Sequence, residues 1–305
     1  MLDFLALYKE SFSSALGSIY TTFGFVEVFI FSVFALLYFF MESFSGLSLG
    51  RLIAHKKVIF VRDITKKEKI ERALLRSAVK IVPLVPIVLL FSIAKNQKFS
   101  QTLVDRTLGF SVISTVGEPG KVNFRERLIP MFISSIFIYY LTFIGSIIIL
   151  FHFSPPVSLS NPGNSGSSSL SFLQSFYSIF SNNINLDIRY IISGLGAGIE
   201  LISNVASSNI LEGAFLVVII KGLGWNSIVQ GVLPQFFPET LGYCMGIVSS
   251  FSITFMEMDS LEALIRGTKI TEYYSSIKID SMIAITALVA SIILIIIGAL
   301  IEASL

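Results

Sequence analysis

Leu233–Pro234–Gln235–Phe236–Phe237–Pro238–Glu239 stands between two long apolar runs. Its two prolines interrupt helix hydrogen bonding, and its acid is too costly in hydrocarbon to be there without a reason. Upstream lie Asn183, Asn204 and Asn209, and downstream, in the last apolar run, lies Glu302. The C-terminal half is therefore expected to fold around an interrupted polar centre inside a membrane.

Composition supports a membrane. Of 305 residues, 53% are hydrophobic and 14% charged, against roughly 25% charged in a soluble domain. Mean hydropathy is +0.80. So few polar side chains cannot coat a globule of this size. The apolar runs are continuous and approach the ~20 residues a helix needs to cross a bilayer. A β-barrel would instead alternate over roughly ten-residue segments. The expected fold class is all-α: a polytopic transmembrane helical bundle of about six to seven membrane segments, with interrupted helices in the C-terminal half.

Net charge is +2, which points to no nucleic-acid partner. The lone Cys244 excludes an internal disulfide and any multi-cysteine metal site. His55 and His152 are far apart, with no carboxylate–histidine spacing that reads as a metal site. No metal, cofactor or catalytic set is expected. Met1–Thr22 has Asp3 where a signal peptide carries basic residues. Its apolar residues share one helical face, which predicts an amphipathic helix on the membrane surface.

Along the chain, Phe23–Met41 reads as a first crossing. Gly50–Ser77 holds nine Lys/Arg against three acids, which places it in the cytoplasm. From Thr65 it has the charge pattern of a helix start. Its bland reading is a solvated helix near lipid headgroups; the sharper one is a docking surface for a cytoplasmic partner. Ala78–Ala94 is apolar but short, contains Pro83 and Pro86, and has basic flanks on both sides. A bent or non-spanning segment fits it best. A weak crossing at Leu103–Val116 is opposed by Asp105 and Arg106. Leu128–Phe151 is a clean span.

Ser154–Ser169 is an uncharged Ser/Pro/Gly/Asn stretch, a linker composition. The expected division is an N-terminal membrane part (1–152) with a basic cytoplasmic segment (50–127), an extracytoplasmic linker (153–170) and a C-terminal membrane domain (171–305). Spans are expected near Leu186–Val205, Ile210–Leu223, Thr240–Met256 and Ser281–Ile301, with a charged hinge at Glu257–Asp280. Eighteen of the 22 Lys/Arg fall in the segments placed inside, and both termini then lie outside. Gly194, Gly196 and Gly198 fall mid-span, where small residues let helices approach closely.

Several pieces of the C-terminal part resemble one family. They are Phe176–Tyr177–Ser178–Ile179–Phe180–Ser181–Asn182–Asn183, the helix with Gly194 and Gly198, and Ser208–Asn209–Ile210–Leu211–Glu212–Gly213. Two more are Pro234 to Glu239 and Ile297–Gly298–Ala299–Leu300–Ile301–Glu302. In this order they resemble the stage II sporulation protein M family of integral membrane proteins, over roughly Ser171–Leu305. Pro234 to Glu239 has the spacing of the family's Pro-His-Gly-x-x-Glu signature. Gln235 and Phe236 replace the histidine and glycine, so no role of that histidine carries over. The resemblance implies a partner-dependent membrane component of a complex that remodels the cell envelope.

The residues themselves nominate a polar membrane centre of Asn183, Asn209, Pro234, Pro238, Glu239 and Glu302. Arg189 and Lys221 are its candidate charge partners. Its bland reading is a network that locks interrupted helices together; its functional one is an ion, proton or substrate path at broken helices. The whole chain then reads as a non-catalytic scaffold or assembly component in the cell membrane, multi-pass, with membrane or cytoplasmic protein partners or further copies of itself. The alternative is a small ion or solute transporter or channel. An intramembrane enzyme built on Cys244 lacks a histidine after the cysteine.

Overall fold

The computed structural model describes residues 32–33, 35–46, 56–61, 64–81, 103–114, 123–153, 171–195, 199–266 and 269–304. The expected amphipathic helix at Met1–Thr22, most of Ala78–Ala94 and the linker at Ser154–Ser169 lie outside them. In chain order the elements are α1 (Ala35–Ser45), β1 (Lys56–Phe60), α2 (Lys66–Ile81), α3 (Leu103–Leu108), β2 (Phe110–Ser114) and α4 (Phe124–Phe153). Then follow α5 (Phe172–Ile192), α6 (Ile199–Leu223), α7 (Trp225–Gly231), α8 (Leu233–Arg266), a 3-10 turn (Ile270–Tyr273) and α9 (Tyr274–Ser304).

The class is all-α, as the apolar runs imply, with fewer spans than the sequence suggests. Among the described residues four helices are long and apolar enough to cross a membrane: Phe124–His152, Glu200–Leu223, Leu233–Leu261 and Tyr274–Ser304. At 1.5 Å per residue, the 30 residues of α4 reach roughly 45 Å, beyond a hydrocarbon core of ~30 Å. The shortfall has two sources. Most of the Phe23–Met41 crossing lies outside the described residues. The span expected at Leu186–Val205 does not exist as one helix: α5 ends at Ile192 and α6 begins at Ile199. Gly194 therefore sits in a turn, not mid-span.

The helices are inside-out relative to a soluble protein. On α9 the exposed face is Met282, Ile285, Val289, Ile293, Ile297 and Leu300, while Ala287, Ser291, Ala299 and Glu302 are buried. The apolar stripe keeps the helical period but faces outward. Small and polar residues fill the helix contacts, which is how helices pack in lipid. With four such helices the chain is a membrane-spanning protein.

Contacts group the described residues into two compact units that do not follow chain order. One contains Ser135–Glu257 and Asp280–Leu305, the other Phe29–Ser134 and Met258–Ile279. We call them the helical unit and the mixed unit.

The mixed unit holds a two-stranded antiparallel sheet that the sequence reading missed. β1 pairs with β2 with Val58 opposite Val112 and Phe60 opposite Phe110. Gly109, at φ 77°, makes the turn into β2. Val58, Phe110 and Ala73 of α2 form a small core with Phe40, Phe44, Phe60 and Leu108 around it. Beside this core lies Arg76, fully buried, with Nε 2.6 Å from Asp105 and Nη1 3.1 Å from Glu42. Nη1 also donates to Ser43 at 3.0 Å, and the guanidinium lies 5.2 Å from the Phe110 ring centroid. Burial alone would lower the Arg76 pKa, but Glu42 and Asp105 outweigh it and hold it above the usual arginine value.

In the helical unit, α5 opens with a capping box. The Ser171 hydroxyl accepts from Gln174 N, and the Gln174 side chain accepts from Ser171 N. Gly224, at φ 84°, ends α6; its N–H donates to Ile220 O at 3.0 Å. Ile219, Ile220 and Ile228 then pack α7 back against α6.

The stretch Leu233–Glu239 is not itself the interruption. It forms the first two turns of a continuous α8, with Pro238 inside it. Pro234 sits in the first turn, where its missing N–H costs nothing. The N–H that Pro238 lacks would have served Pro234 O, so α8 loses one bond near its start and continues. The breaks lie just upstream, at Gly224 and Val232 on either side of α7.

Candidate functional site

The sequence-nominated polar residues lie in the helical unit and are held by hydrogen bonds between helices. Asn183 of α5 donates from Nδ2 to Glu239 Oε1 of α8 at 2.6 Å. Asn183 is placed for this by the inner face of α5, on which Ile179, Asn183, Asp187 and Tyr190 are buried. Glu302 of α9 stands close enough to act electrostatically on Glu239, as does Glu212 of α6. Gly298, one turn before Glu302, leaves room for the Glu239 side chain: a Cβ there would lie 3.2 Å from both Cδ and Oε1 and closer still to Cγ.

Asn209 has a different neighbourhood. Its Nδ2 donates to Tyr139 O at 2.9 Å and Thr142 Oγ1 at 2.5 Å, both on α4. One turn on, Glu212 Oε2 accepts from the Tyr139 hydroxyl at 2.7 Å. Tyr140, next along α4, meets Thr240 Oγ1 of α8 at 3.1 Å. Tyr139 and Tyr243 stack at 6.2 Å, and Tyr190 meets Tyr243 edge-on at 5.9 Å. The nominated set is thus two linked arrangements: Asn183–Glu239 with Glu302 nearby, and Asn209–Glu212–Tyr139.

Arg189 and Lys221 are not the partners of Glu239. Arg189 is exposed, and the Lys221 ammonium lies 5.1 Å from the Phe151 ring centroid. The side chain hydrogen-bonded to Glu239 is the neutral amide of Asn183. Pro234 is exposed and Pro238 half-buried; neither touches the network as a polar group. Gln235, at the place of the family's histidine, donates from Nε2 to Gly231 O at 2.9 Å. It thereby satisfies a carbonyl at the end of α7 and ties α7 to α8.

Sequence reasoning missed Asp187. It is fully buried, and Oδ2 accepts from Ser291 Oγ of α9 at 2.6 Å. Oδ1 rests against Gly246 of α8, so closely that a Cβ at Gly246 would also lie 2.9 Å from the carboxyl carbon. The signal was there: a lone acid in an apolar run is a default point of interest. Gly246→Ala is expected to destabilise by ~1–3 kcal/mol through overpacking. In an Asp187→Ala background the three atoms nearest that methyl are gone, and most of that cost disappears. Thermal unfolding of the four cycle members in detergent reads the coupling; additive shifts would refute the contact.

The turn between α5 and α6 is built the same way. Ser193 Oγ accepts from Asn204 Nδ2 at 3.2 Å and itself donates to Arg189 O. Thr254 of α8 donates to Gly194 O at 3.0 Å. Cys244 is buried in α8.

Chemically, the acids Asp187 and Glu239 are each hydrogen-bonded to a neutral side chain of another helix, and Glu212 accepts from a tyrosine. Among the described residues no three His, Cys, Asp or Glu side chains are grouped to hold a metal ion. What the arrangement does directly is join α4, α5, α6, α8 and α9 by polar contacts that lipid cannot replace. In comparisons with protein-family models, curated proteins and solved structures, nothing matches this chain.

Proposed function

We propose that the chain is a non-catalytic scaffold or assembly component of a cell-envelope complex in the cell membrane, its helical unit locked by hydrogen bonds between acids at the helix contacts and neutral side chains. The observation that carries this reading is the pairing itself: Asn183–Glu239, Ser291–Asp187 and Tyr139–Glu212 each bridge two helices. A carboxyl tied to an amide or hydroxyl of a neighbouring helix holds register without a moving charge. The resemblance to the stage II sporulation protein M family, carried by five ordered pieces of sequence, supports a role defined by protein partners.

A second reading is transport of a proton or small cation. It is favoured by one observation: Glu239 lies within electrostatic reach of both Glu212 and Glu302.

Glu239→Gln separates the two. The glutamine oxygen still accepts from Asn183, so under the scaffold reading melting shifts little and the detergent-extracted complex keeps its size. Reconstituted vesicles then leak protons and sodium no faster than empty ones, for wild type and variant alike. Flux that wild type supports and Glu239→Gln abolishes would replace the scaffold reading with transport.

A further inference from the structure

We propose that the outer face of α2 rests on an anionic lipid surface, with Leu74 and Leu75 in the acyl boundary and Lys66 and Lys67 against the headgroups. The inner face of α2 is fixed. Ala73, Arg76 and Ser77 are fully buried, and Arg72 is held by Glu68 at 2.6 Å and by Leu108 O at 2.9 Å. The helix therefore cannot roll to hide its other face. That face carries Leu74 at 44% and Leu75 at 54% exposure, with Ala78 exposed one turn on. Lys66 and Lys67 are exposed at the opposite end.

Three observations select lipid as the occupant. The first is charge: Gly50–Ser77 carries nine Lys/Arg against three acids. Arg72 and Arg76 are committed internally, while Lys66 is exposed and Lys67, its side chain 88% exposed, stands 3.9 Å from the exposed Glu71 on the same face. A surplus of lysine complements an anionic leaflet. The second is chain continuity. The C-terminal half of α2, which carries the exposed leucines, leads directly into Ile81–Val82–Pro83–Leu84–Val85–Pro86–Ile87–Val88–Leu89–Leu90, where the sequence turns lipid-like. The third is size. Two leucines and an alanine fall far short of the ~800 Å² per partner of a stable protein interface. They suffice for a membrane that the spanning helices already hold nearby, where binding is effectively intramolecular.

The test uses the full chain with Leu75→Cys, labelled with an environment-sensitive fluorophore, in a Cys244→Ala background. It is reconstituted into phosphatidylcholine vesicles with or without phosphatidylglycerol, each containing lipids spin-labelled near the headgroup. Quenching of the dye is expected, stronger with phosphatidylglycerol. Adding Lys66→Glu and Lys67→Glu should reduce the fraction quenched in the anionic vesicles by about fivefold or more. Both lysines are exposed, so this charge reversal leaves the fold intact, and the melting temperature checks it. A dye that stays water-like in both vesicles overturns the proposal. So does a shielded dye that lipid nitroxides do not quench, which would assign the face to protein. Equal quenching in both lipids, unmoved by the charge reversal, overturns the headgroup contact.

Discussion

Arg76→Met destabilises the mixed unit by about 3–5 kcal/mol, the range for stranding buried charge. The side chain is fully buried between Asp105 and Glu42, and methionine fills much of the same volume without a charge. Asp105 and Glu42 then lose the guanidinium that faces them. Lys80, 3.8 Å from Glu42, partly compensates for that acid. Arg76→Lys keeps the charge but not the fork that reaches both acids, so its cost is intermediate. The diagnostic variant removes all three charges. With Arg76→Met, Glu42→Leu and Asp105→Leu together, much of the stability returns, because the guanidinium and both acids that face it go together; the part that does not return is the loss of Glu42 to Lys80, 3.8 Å away. Local protease resistance of Lys66–Ile81 and hydrogen exchange in β1 and β2 read the mixed unit by itself. A triple variant as unstable as Arg76→Met would mean that shape, not charge, holds this core.

Gly194→Ala is the second large effect, expected at ~1–3 kcal/mol and at the upper end of that range. A Cβ at Gly194 would meet the carbonyl oxygen of Ser250, with Ser250 Cα at 2.8 Å and Oγ at 2.9 Å. The obstacle is the backbone of a long helix, which cannot swing away as a side chain can. The turn must lift off α8 and break the bond from Thr254 to Gly194 O. Thr254→Val removes that bond without adding bulk, so it costs only about 1 kcal/mol. If Gly194→Ala melts no lower than Thr254→Val, the close approach of turn and helix is not what constrains this position. Gly224→Ala offers a contrast. Nothing lies within 4 Å of its Cβ position, so its penalty comes only from the positive φ.

How far the sequence could be read follows from where the information sits. The spans at α4, α8 and α9 were legible because hydropathy is a local property, summed over about 20 neighbouring residues. The break between α5 and α6 was not. A glycine-rich run inside an apolar stretch reads the same whether it packs a helix or turns it. The two strands escaped because five residues each, split by the whole of residues 61–109, carry little periodic signal. Val58–Ile59–Phe60 and Val112–Ile113 were the clue, as β-branched and aromatic residues favour strands.

At the polar centre the residue types were legible and the partners were not. Glu239 announces that it needs a partner, and a base is the obvious guess. Its hydrogen bond comes from Asn183, 56 residues earlier, a distance over which sequence says nothing about contact. Asn209 and Asn183 look alike in sequence but serve different helix pairs. The prolines drew the eye to Leu233–Glu239 as a break, yet a proline in the first turn is where a helix begins most readily.

The bond between Asp187 and Ser291 also has a timetable. Its two ends are separated by 104 residues. At a synthesis rate of ~5–20 residues per second, α5 leaves the ribosome roughly 5–20 s before its partner on α9 exists. Throughout that wait Asp187 has neither Ser291 nor the closed helix packing that buries it. Until α9 arrives, that acid must be met by water, by a proton or by a substitute partner.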